Sequence, residues 1–278
     1  TIQRLAPTLC LRDSGGIGAD GILLVKTITT NKYELTVINS DGSIAKNCGN
    51  GLRCALAFGE KKNLDFSEPP YYSTIILGSQ EVECQVIRKE NSGASVFSCV
   101  TLGIPNTDLS KEDLQAQNTL KDHWKNSSLY SPNDSVEFCR IGNNHLVVFC
   151  ESDHFQSRNW LMAQKDMLPT LKGYNIHFTN SKEASSSEIS YANNILGSGL
   201  EDVYEVSTFE NGVGATKACG SGGGAIAALA TGHGFVASGK WIGVKSQGGL
   251  LFLRTSGSGS QMNLAGPADF VFSGQIDI

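Results

Sequence analysis

The sequence lacks several features that would assign it to common classes. It has no long run of lysine or arginine, and its formal net charge is −5. A nucleic-acid partner therefore finds no electrostatic footprint. Long apolar runs are missing as well: residues 21–25 with their neighbours and residues 225–230 are far too short to span a bilayer, so no membrane is expected. None of the eight cysteines, at positions 10, 48, 54, 84, 99, 139, 150 and 219, forms a Cys-x-x-Cys pair, and no group has zinc spacing. No metal is expected on that ground. A disulfide framework is equally poorly supported in a chain of 278 residues without a secretory signal. Mostly buried thiols in a reducing, cytoplasmic setting are the simpler reading, with Cys84, Cys139 and Cys150 as small core hydrophobes. The glycine run 220–224 lacks the Gly-x-x-x-x-Gly-Lys-Ser/Thr spacing of a phosphate loop. Aromatics are few, while 31 glycines point to many turns and close backbone approaches.

What is present is a mixed α/β pattern. Strands are expected over 21–29 and 33–39 with a turn at 31–32, then a helix over 52–58 ending near Gly59. Further strands are expected over 72–77, 82–88 and 95–102. The pattern breaks with a Pro-Asn turn within 103–109, where we place a domain boundary, and a polar stretch continues through Asp134. Beyond it, strands are expected over 135–141, 146–150 and 175–179 and a helix over 155–167. The serine-rich stretch 181–187 reads as an exposed loop.

One order of residues occurs twice. The first copy is Tyr33-Glu-Leu-Thr-Val-Ile-Asn-Ser-Asp-Gly-Ser-Ile-Ala-Lys-Asn-Cys48-Gly-Asn-Gly-Leu-Arg-Cys-Ala. The second is Val203-Tyr-Glu-Val-Ser-Thr-Phe-Glu-Asn-Gly-Val-Gly-Ala-Thr-Lys-Ala-Cys219-Gly-Ser-Gly-Gly-Gly-Ala. Each runs strand, Asp-Gly or Asn-Gly turn, Lys two residues before Cys, Cys-Gly-(Asn/Ser)-Gly, then a small-residue helix. The economical explanation is two related halves, each presenting a cysteine at a helix start.

A cysteine in that position feels the positive end of the helix dipole, which favours its thiolate. Glycines behind it let backbone N–H groups approach a carboxylate. Two such elements related by pseudo-symmetry can grip one carboxylate and set a sulfur on each side of the adjacent carbon. That is the layout of a two-base racemisation, in which one thiolate removes the α-proton and the other thiol protonates the opposite face. Backbone donors aimed at the developing enolate could supply on the order of 3 kcal/mol each.

At these residues the sequence resembles the diaminopimelate epimerase family. The resemblance is carried by Asn39-Ser-Asp-Gly-Ser through Cys48-Gly-Asn-Gly-Leu-Arg-Cys, by Gly142-Asn-Asn-His145, by Asn175-Ile-His-Phe, and by Glu210-Asn-Gly-Val-Gly through Cys219-Gly-Ser-Gly. It implies two similar α/β domains, each a sheet curled into a barrel-like shape around a central helix, with the active site in the cleft between them. Residues 1–107 with a returning segment 266–278 would form one half, and 108–265 the other. It also implies a reaction without a cofactor that converts LL-diaminopimelate to the meso form for lysine and peptidoglycan synthesis, with a small-molecule amino-acid substrate. A homodimer is compatible with the sequence, which does not dictate it.

Carried over by motif, Cys48 and Cys219 are the acid/base pair, and Gly49, Asn50, Gly220 and Ser221 supply the carboxylate cradle. Asn39, Asn143 and Asn175 match asparagines that contact substrate, Glu210 matches an acidic residue at the site, and His145 matches a histidine near the cysteines. The sequence also departs from the family. Asn211 stands where the family has an Arg that holds the substrate's distal carboxylate, which removes a charge-assisted contact. Ala215 replaces a Glu and Asn144 a Pro. The family's opening strand and its Gly-Asn-Asp-Phe-like motif are absent before Thr1. A divergent or fragmentary diaminopimelate epimerase is the first expectation. An epimerase of the same mechanism on another amino acid comes second, and a non-catalytic small-molecule-binding relative third. A structurally different alternative is a related isomerase group with the same doubled fold but different acid/base residues. Like proline-racemase relatives, it needs other residues around the catalytic positions, and the two Cys-Gly-x-Gly contexts fit the diaminopimelate type better.

Overall fold

The computed structural model describes residues 2–13, 15–45, 47–62, 68–90, 94–164, 166–257 and 259–275. Lys46 of the repeated element and the last three residues of the returning segment lie outside them. The chain divides into two compact units, Thr1–Thr101 with Ala265–Ile278, and Leu102–Leu264. No helix among the described residues is long and apolar enough to cross a membrane.

The first unit starts with helix α1 (Ile2–Leu9) and strands β1 (Gly21–Thr29) and β2 (Lys32–Asn39). Helix α2 (Gly49–Lys61) and strands β3 (Tyr71–Leu77), β4 (Gln80–Glu90) and β5 (Ser95–Thr101) follow. Its sheet runs β1-β2-β3-β4-β5 and then β13 (Asn263–Asp269), which joins this unit from Ala265 onward. Tyr33, Leu35 and Val37 alternate inward along β2, and this face carries α2: Val37 lies under Gly51 and Tyr33 under Gly59. A Cβ on Gly59 would come 2.9 Å from the Tyr33 hydroxyl, so only glycine lets helix and strand approach so closely.

The second unit contains helix α3 (Lys111–Lys125), strands β6 (Ser135–Ile141) and β7 (Asn143–Phe149), helix α4 (His154–Ala163) and strand β8 (Tyr174–Glu183). Helix α5 (Ser186–Leu196), strands β9 (Leu200–Glu210) and β10 (Gly214–Thr216), helix α6 (Gly220–Gly232), and strands β11 (Trp241–Ser246) and β12 (Gly249–Arg254) complete it. Its sheet order is β12-β11-β9-β8-β7-β6, with β10 folded back on β9. One face carries a core of Trp124, Phe138, Leu146, Leu161, Ile176 and Phe178 under α3 and α4. The other carries α6, whose glycines 222, 223 and 224 touch His177 of β8, Leu253 of β12 with Val244 of β11, and Ile141 of β6.

The sequence repeat is also a structural one. β2 and β3 are parallel and joined through α2, as β9 and β11 are parallel and joined through α6. Each pair is flanked by antiparallel neighbours, β1 and β4 in one unit, β8 and β12 in the other. Parallel strands need a crossover, and here each crossover is the helix behind a Cys-Gly-x-Gly turn.

Several expected elements differ. Residues 181–187 are not a loop: β8 runs through Glu183 and α5 starts at Ser186. Ser185 caps it with a Ser-x-x-Glu capping box, and Gly197 ends it with left-handed backbone, φ 66°. The polar stretch before Asp134 contains α3, held by a capping box between Ser110 and Asp113 and by Ala116, Leu120 and Trp124 at four-residue spacing on its buried side. α4 stops at Ala163, and Leu168–Leu171 forms a separate 3-10 turn carrying Pro169. β7 begins at Asn143 because the chain reverses at Gly142, φ 69°, without an intervening loop.

Candidate active site

In each unit a cysteine ends an extended approach and opens a helix. Cys48, at φ −157° and ψ 92°, is the N-cap of α2, and its Sγ accepts from the Gly51 amide at 3.2 Å. Cys219, at φ −133° and ψ 109°, caps α6 in the same way, accepting from the Gly222 amide at 3.4 Å. Sulfur thus takes the place that a Ser or Asp oxygen holds at most helix starts. The amides of Gly49, Asn50, Gly220 and Ser221 have no hydrogen-bond partner among the described residues. A helix N-terminus with two free N–H groups beside a thiol is an anion site next to a proton carrier.

Around Cys48, Arg53 ties the helix down: Nη2 donates to Asn50 Oδ1 at 2.7 Å and Nη1 to the Pro267 carbonyl at 2.5 Å. Asn39 lies two residues beyond Val37, on the β2 face that carries α2. Its Nδ2 donates to Ser43 Oγ at 2.9 Å across the Asp41-Gly42 turn. Ser43 also donates to Asp41, which holds the Asp41 carboxyl below its ordinary range.

Around Cys219, period-two alternation gathers the rest. Asn143 and His145 on β7, Asn175 and His177 on β8, and Thr208 and Glu210 on β9 fall on the sheet face that α6 covers. His145 and His177 are fully buried. His145 Nδ1 meets His177 Nε2 at 2.9 Å, and His177 Nδ1 meets Thr208 Oγ1 at 3.1 Å. Burial pushes the pKa of His145 down to about 4, against a smaller pull from the Ile141 carbonyl, and that of His177 well below its usual value. Both rings are therefore neutral at pH 7. Glu210 accepts from Thr216 Oγ1 at 2.5 Å.

Sequence reasoning expected the helix dipole to favour the Cys219 thiolate. The structure reverses this. Burial first, and the nearby Glu210 carboxylate second, push the Cys219 thiol up to about 12, with Ser221 and the Gly222 amide opposing. A helix start stabilises an anion by about 0.3–1 kcal/mol, or up to ~2 when partly buried. A rise from 9.0 to about 12 corresponds to roughly twice the larger figure in the other direction. Cys219 rests as a thiol. Of the other six cysteines, Cys10, Cys84, Cys139 and Cys150 are buried, as expected of core thiols, whereas Cys99 is half-buried and Cys54 exposed; all eight are free.

The departures from the family pattern have definite places. Asn211 turns back on its own chain, its Oδ1 accepting from the Gly173 amide and its N–H donating to Asn175 Oδ1, both at 2.9 Å. Asn144 points to the other sheet face, where its Oδ1 accepts from Arg140 Nε at 2.9 Å. Asn143 is exposed in the ladder rather than in a turn.

His177 and Thr208 were not singled out from the sequence. Their signal was available in the alternation from Asn175 and Glu210. Gly222 depends on them, because a Cβ there would lie 2.2 Å from Cε1 of a ring held at both nitrogens. Gly222→Ala is expected to cost about 1–3 kcal/mol by overpacking. An unchanged melting temperature would show instead that the ring yields freely.

A sequence model described as diaminopimelate epimerase matches residues 1–90. The diaminopimelate epimerase of Prochlorococcus marinus (strain NATL1A) is 32% identical, covering 97% of this chain and 86% of that protein. Among solved structures, a hydroxyproline epimerase from Agrobacterium vitis, with bound trans-4-hydroxy-L-proline, aligns with a TM-score of 0.62 at 12% identity, over 96% of this chain and 77% of the other. A Bacillus anthracis phenazine biosynthesis protein of the PhzF family aligns with a TM-score of 0.61 at 13% identity, over 99% and 88%. These two likenesses establish the mixed α/β fold alone. With a relative 32% identical along nearly the whole chain, and both Cys-Gly-x-Gly helix starts in place, the protein belongs to the diaminopimelate epimerase family.

Proposed function

We propose that the protein is a cofactor-independent epimerase that inverts an amino-acid α-carbon, converting LL-diaminopimelate to meso-diaminopimelate for lysine and peptidoglycan precursors in the cytoplasm. The observation that carries this reading is the duplicated helix start: a cysteine cap with two amides behind it that have no partner among the described residues, once in each unit. In this reading each sheet curls around its cysteine-bearing helix. The cradles at Gly49 with Asn50 and Gly220 with Ser221 hold the substrate's α-carboxylate. Cys48 and Cys219 act on opposite faces of the α-carbon. Cys219, resting as the thiol, delivers a proton to the carbanionic carbon after Cys48, as thiolate, has removed the original one. The amides take up charge that builds on the carboxylate, and this is why no electron-sink cofactor is needed. Asn39, Asn143, Asn175 and Glu210 orient the rest of the substrate, and His145 supports the Cys219 side.

One observation favours a second reading. Asn211 is committed to Gly173 and Asn175, so the position of the family's Arg offers no cation to a distal carboxylate. An amino acid without that carboxylate is then the substrate, by the same mechanism. The test is α-proton exchange in D₂O with reduced protein, offering LL-diaminopimelate beside lysine, ornithine and histidine. Exchange with diaminopimelate alone is expected. Exchange with another amino acid instead moves the protein to the second reading, and exchange with none refutes both.

A further inference from the structure

The face that α6 covers holds a second chemistry. One ring nitrogen each of His145 and His177, and the Cys219 sulfur, lie within 4.8 Å of one another. These residues stand far apart in the sequence, which is why cysteine spacing did not reveal the group. Imidazole nitrogens and a thiolate suit a borderline-soft divalent cation, and three protein ligands with one open position is a common tetrahedral zinc arrangement.

Two further observations point to a ligand. His177 Nδ1 is held by Thr208 Oγ1 at 3.1 Å, which turns Nε2 towards His145. This is the support that metal-bound imidazoles characteristically receive at their other nitrogen. His145 Nε2 is buried and has no hydrogen-bond partner among the described residues, in a residue with no exposed surface. A buried nitrogen without a partner is costly, and here it is a vacant place for a proton displaced from Nδ1.

We propose that His145, His177 and Cys219 form a binding site for Zn²⁺, and that its occupation reversibly inhibits the enzyme by withholding the Cys219 thiol from proton transfer. In the tautomer in which His177 Nδ1–H donates to Thr208, the one a metal on His177 Nε2 requires, the hydrogen between the rings belongs to His145 Nδ1. On binding, that hydrogen moves to Nε2 of the same ring and the Cys219 proton passes to the buffer. His145 Nδ1, His177 Nε2 and the sulfur then each donate an electron pair to the cation. No oxidation state changes. The two nitrogens, now 2.9 Å apart and facing each other along the line of the ring centroids, separate to roughly 3.3 Å, and both rings tilt by about 35° so that each nitrogen sits about 2.0–2.1 Å from one tetrahedral centre. The inhibition rests on the two-cysteine reading above, whereas the binding does not.

The test uses the full chain, stripped with chelator and titrated with Co²⁺ as a spectroscopic probe, then with Zn²⁺ as competitor. One Co²⁺ per chain is expected, with visible ligand-field bands and a sulfur-to-cobalt charge-transfer band, both lost as Zn²⁺ replaces it. Cys219→Ser should abolish the charge-transfer band and Cys48→Ser should keep it. Thr208→Val should weaken Co²⁺ binding about ten- to a hundredfold. Epimerisation should fall with the same stoichiometry of Zn²⁺ and return on chelation. The proposal is overturned if no charge-transfer band forms, if the band survives in Cys219→Ser, or if Thr208→Val binds as tightly as the parent. Since Cys219→Ser changes only one atom of the side chain, that arm holds even if Thr208→Val does not fold. A protein that gives the band yet exchanges no α-proton with any amino acid keeps the cation site and loses the epimerase reading. One that epimerises without ever giving the band does the reverse.

Discussion

Replacing either Cys48 or Cys219 by alanine is expected to lower kcat/KM for epimerisation by at least a hundredfold, since a positioned acid or base contributes about 10²–10⁴. The loss should not be the same in kind as a general collapse of the site. With one thiol left, the protein can still remove a proton from the face that thiol commands. It then returns a deuteron to that same face after exchange with D₂O. Each variant should therefore wash deuterium into one epimer with retention of configuration, and the two variants should choose opposite epimers. Mass spectrometry combined with chiral chromatography reads both quantities. Inversion at the parent rate in either variant, or the same epimer labelled by both, would sink the assignment of one face to each thiol. Cys219→Ser is the milder variant, because it keeps an acceptor for the Gly222 amide and so spares the cap of α6.

The second large effect concerns stability in mild acid. His145 and His177 are buried and uncharged, with folded pKa values below the unfolded one. For a group depressed on folding, stability is complete above the unfolded pKa, near 6.5, and is lost as pH falls towards the folded value. Between those limits the unfolded chain binds a proton that the folded chain refuses. For His145, depressed to about 4, the loss between pH 6.5 and pH 5 amounts to roughly 2 kcal/mol. His177 adds to it in the same direction. In chelator-treated protein the melting temperature should drop by on the order of 5 °C over that interval. A double variant, His145→Gln with His177→Gln, should lose most of this slope even if it is less stable at pH 7, keeping the share of His154, whose pKa burial also lowers. A parent profile that stays flat down to pH 5 would show that the rings find protons without unfolding. The window also lies above the ordinary range of carboxylates, so their titration does not obscure it.

The parts of the molecule that were legible in the sequence are those in which local order carries the information. The Cys48 and Cys219 helix starts were readable because a cap, two glycines and a helix follow one another along the chain. Strands β1, β2 and β6 were readable because turn residues and alternation bound them. Less legible were elements whose signal is a pair of residues rather than a run. Ser110 with Asp113 and Ser185 with Glu188 each start a helix inside what reads as a polar or serine-rich stretch. For α3 the apolar stripe has only three members, Ala116, Leu120 and Trp124, and the mean hydropathy of the segment conceals it. Least legible was the balance at Cys219. The sequence shows a helix N-terminus and so argues for a thiolate, whereas burial and Glu210, brought close by the β9 turn, decide the matter the other way. His177 shows the same limit. It reads as one histidine in a strand, and only pairing across β7, β8 and β9 sets it between His145 and Thr208.

The anchoring of α2 sets an order of events during synthesis. Arg53 reaches a carbonyl 214 residues further on, at Pro267, and Ser95 and Ala94 are bonded to Asp269 and Phe270. Chains emerge from the ribosome at about 5–20 residues per second, and early domains ordinarily fold while later ones are still being made. Here the early segment lacks its last strand until translation has passed Phe270, many seconds after Cys48 has emerged. Throughout that interval the first sheet keeps an open edge beside β5, and open edges are where chains pair wrongly. The second unit, continuous from Leu102 to Leu264, has no such wait. Of the two units, the one begun earlier is the one finished later.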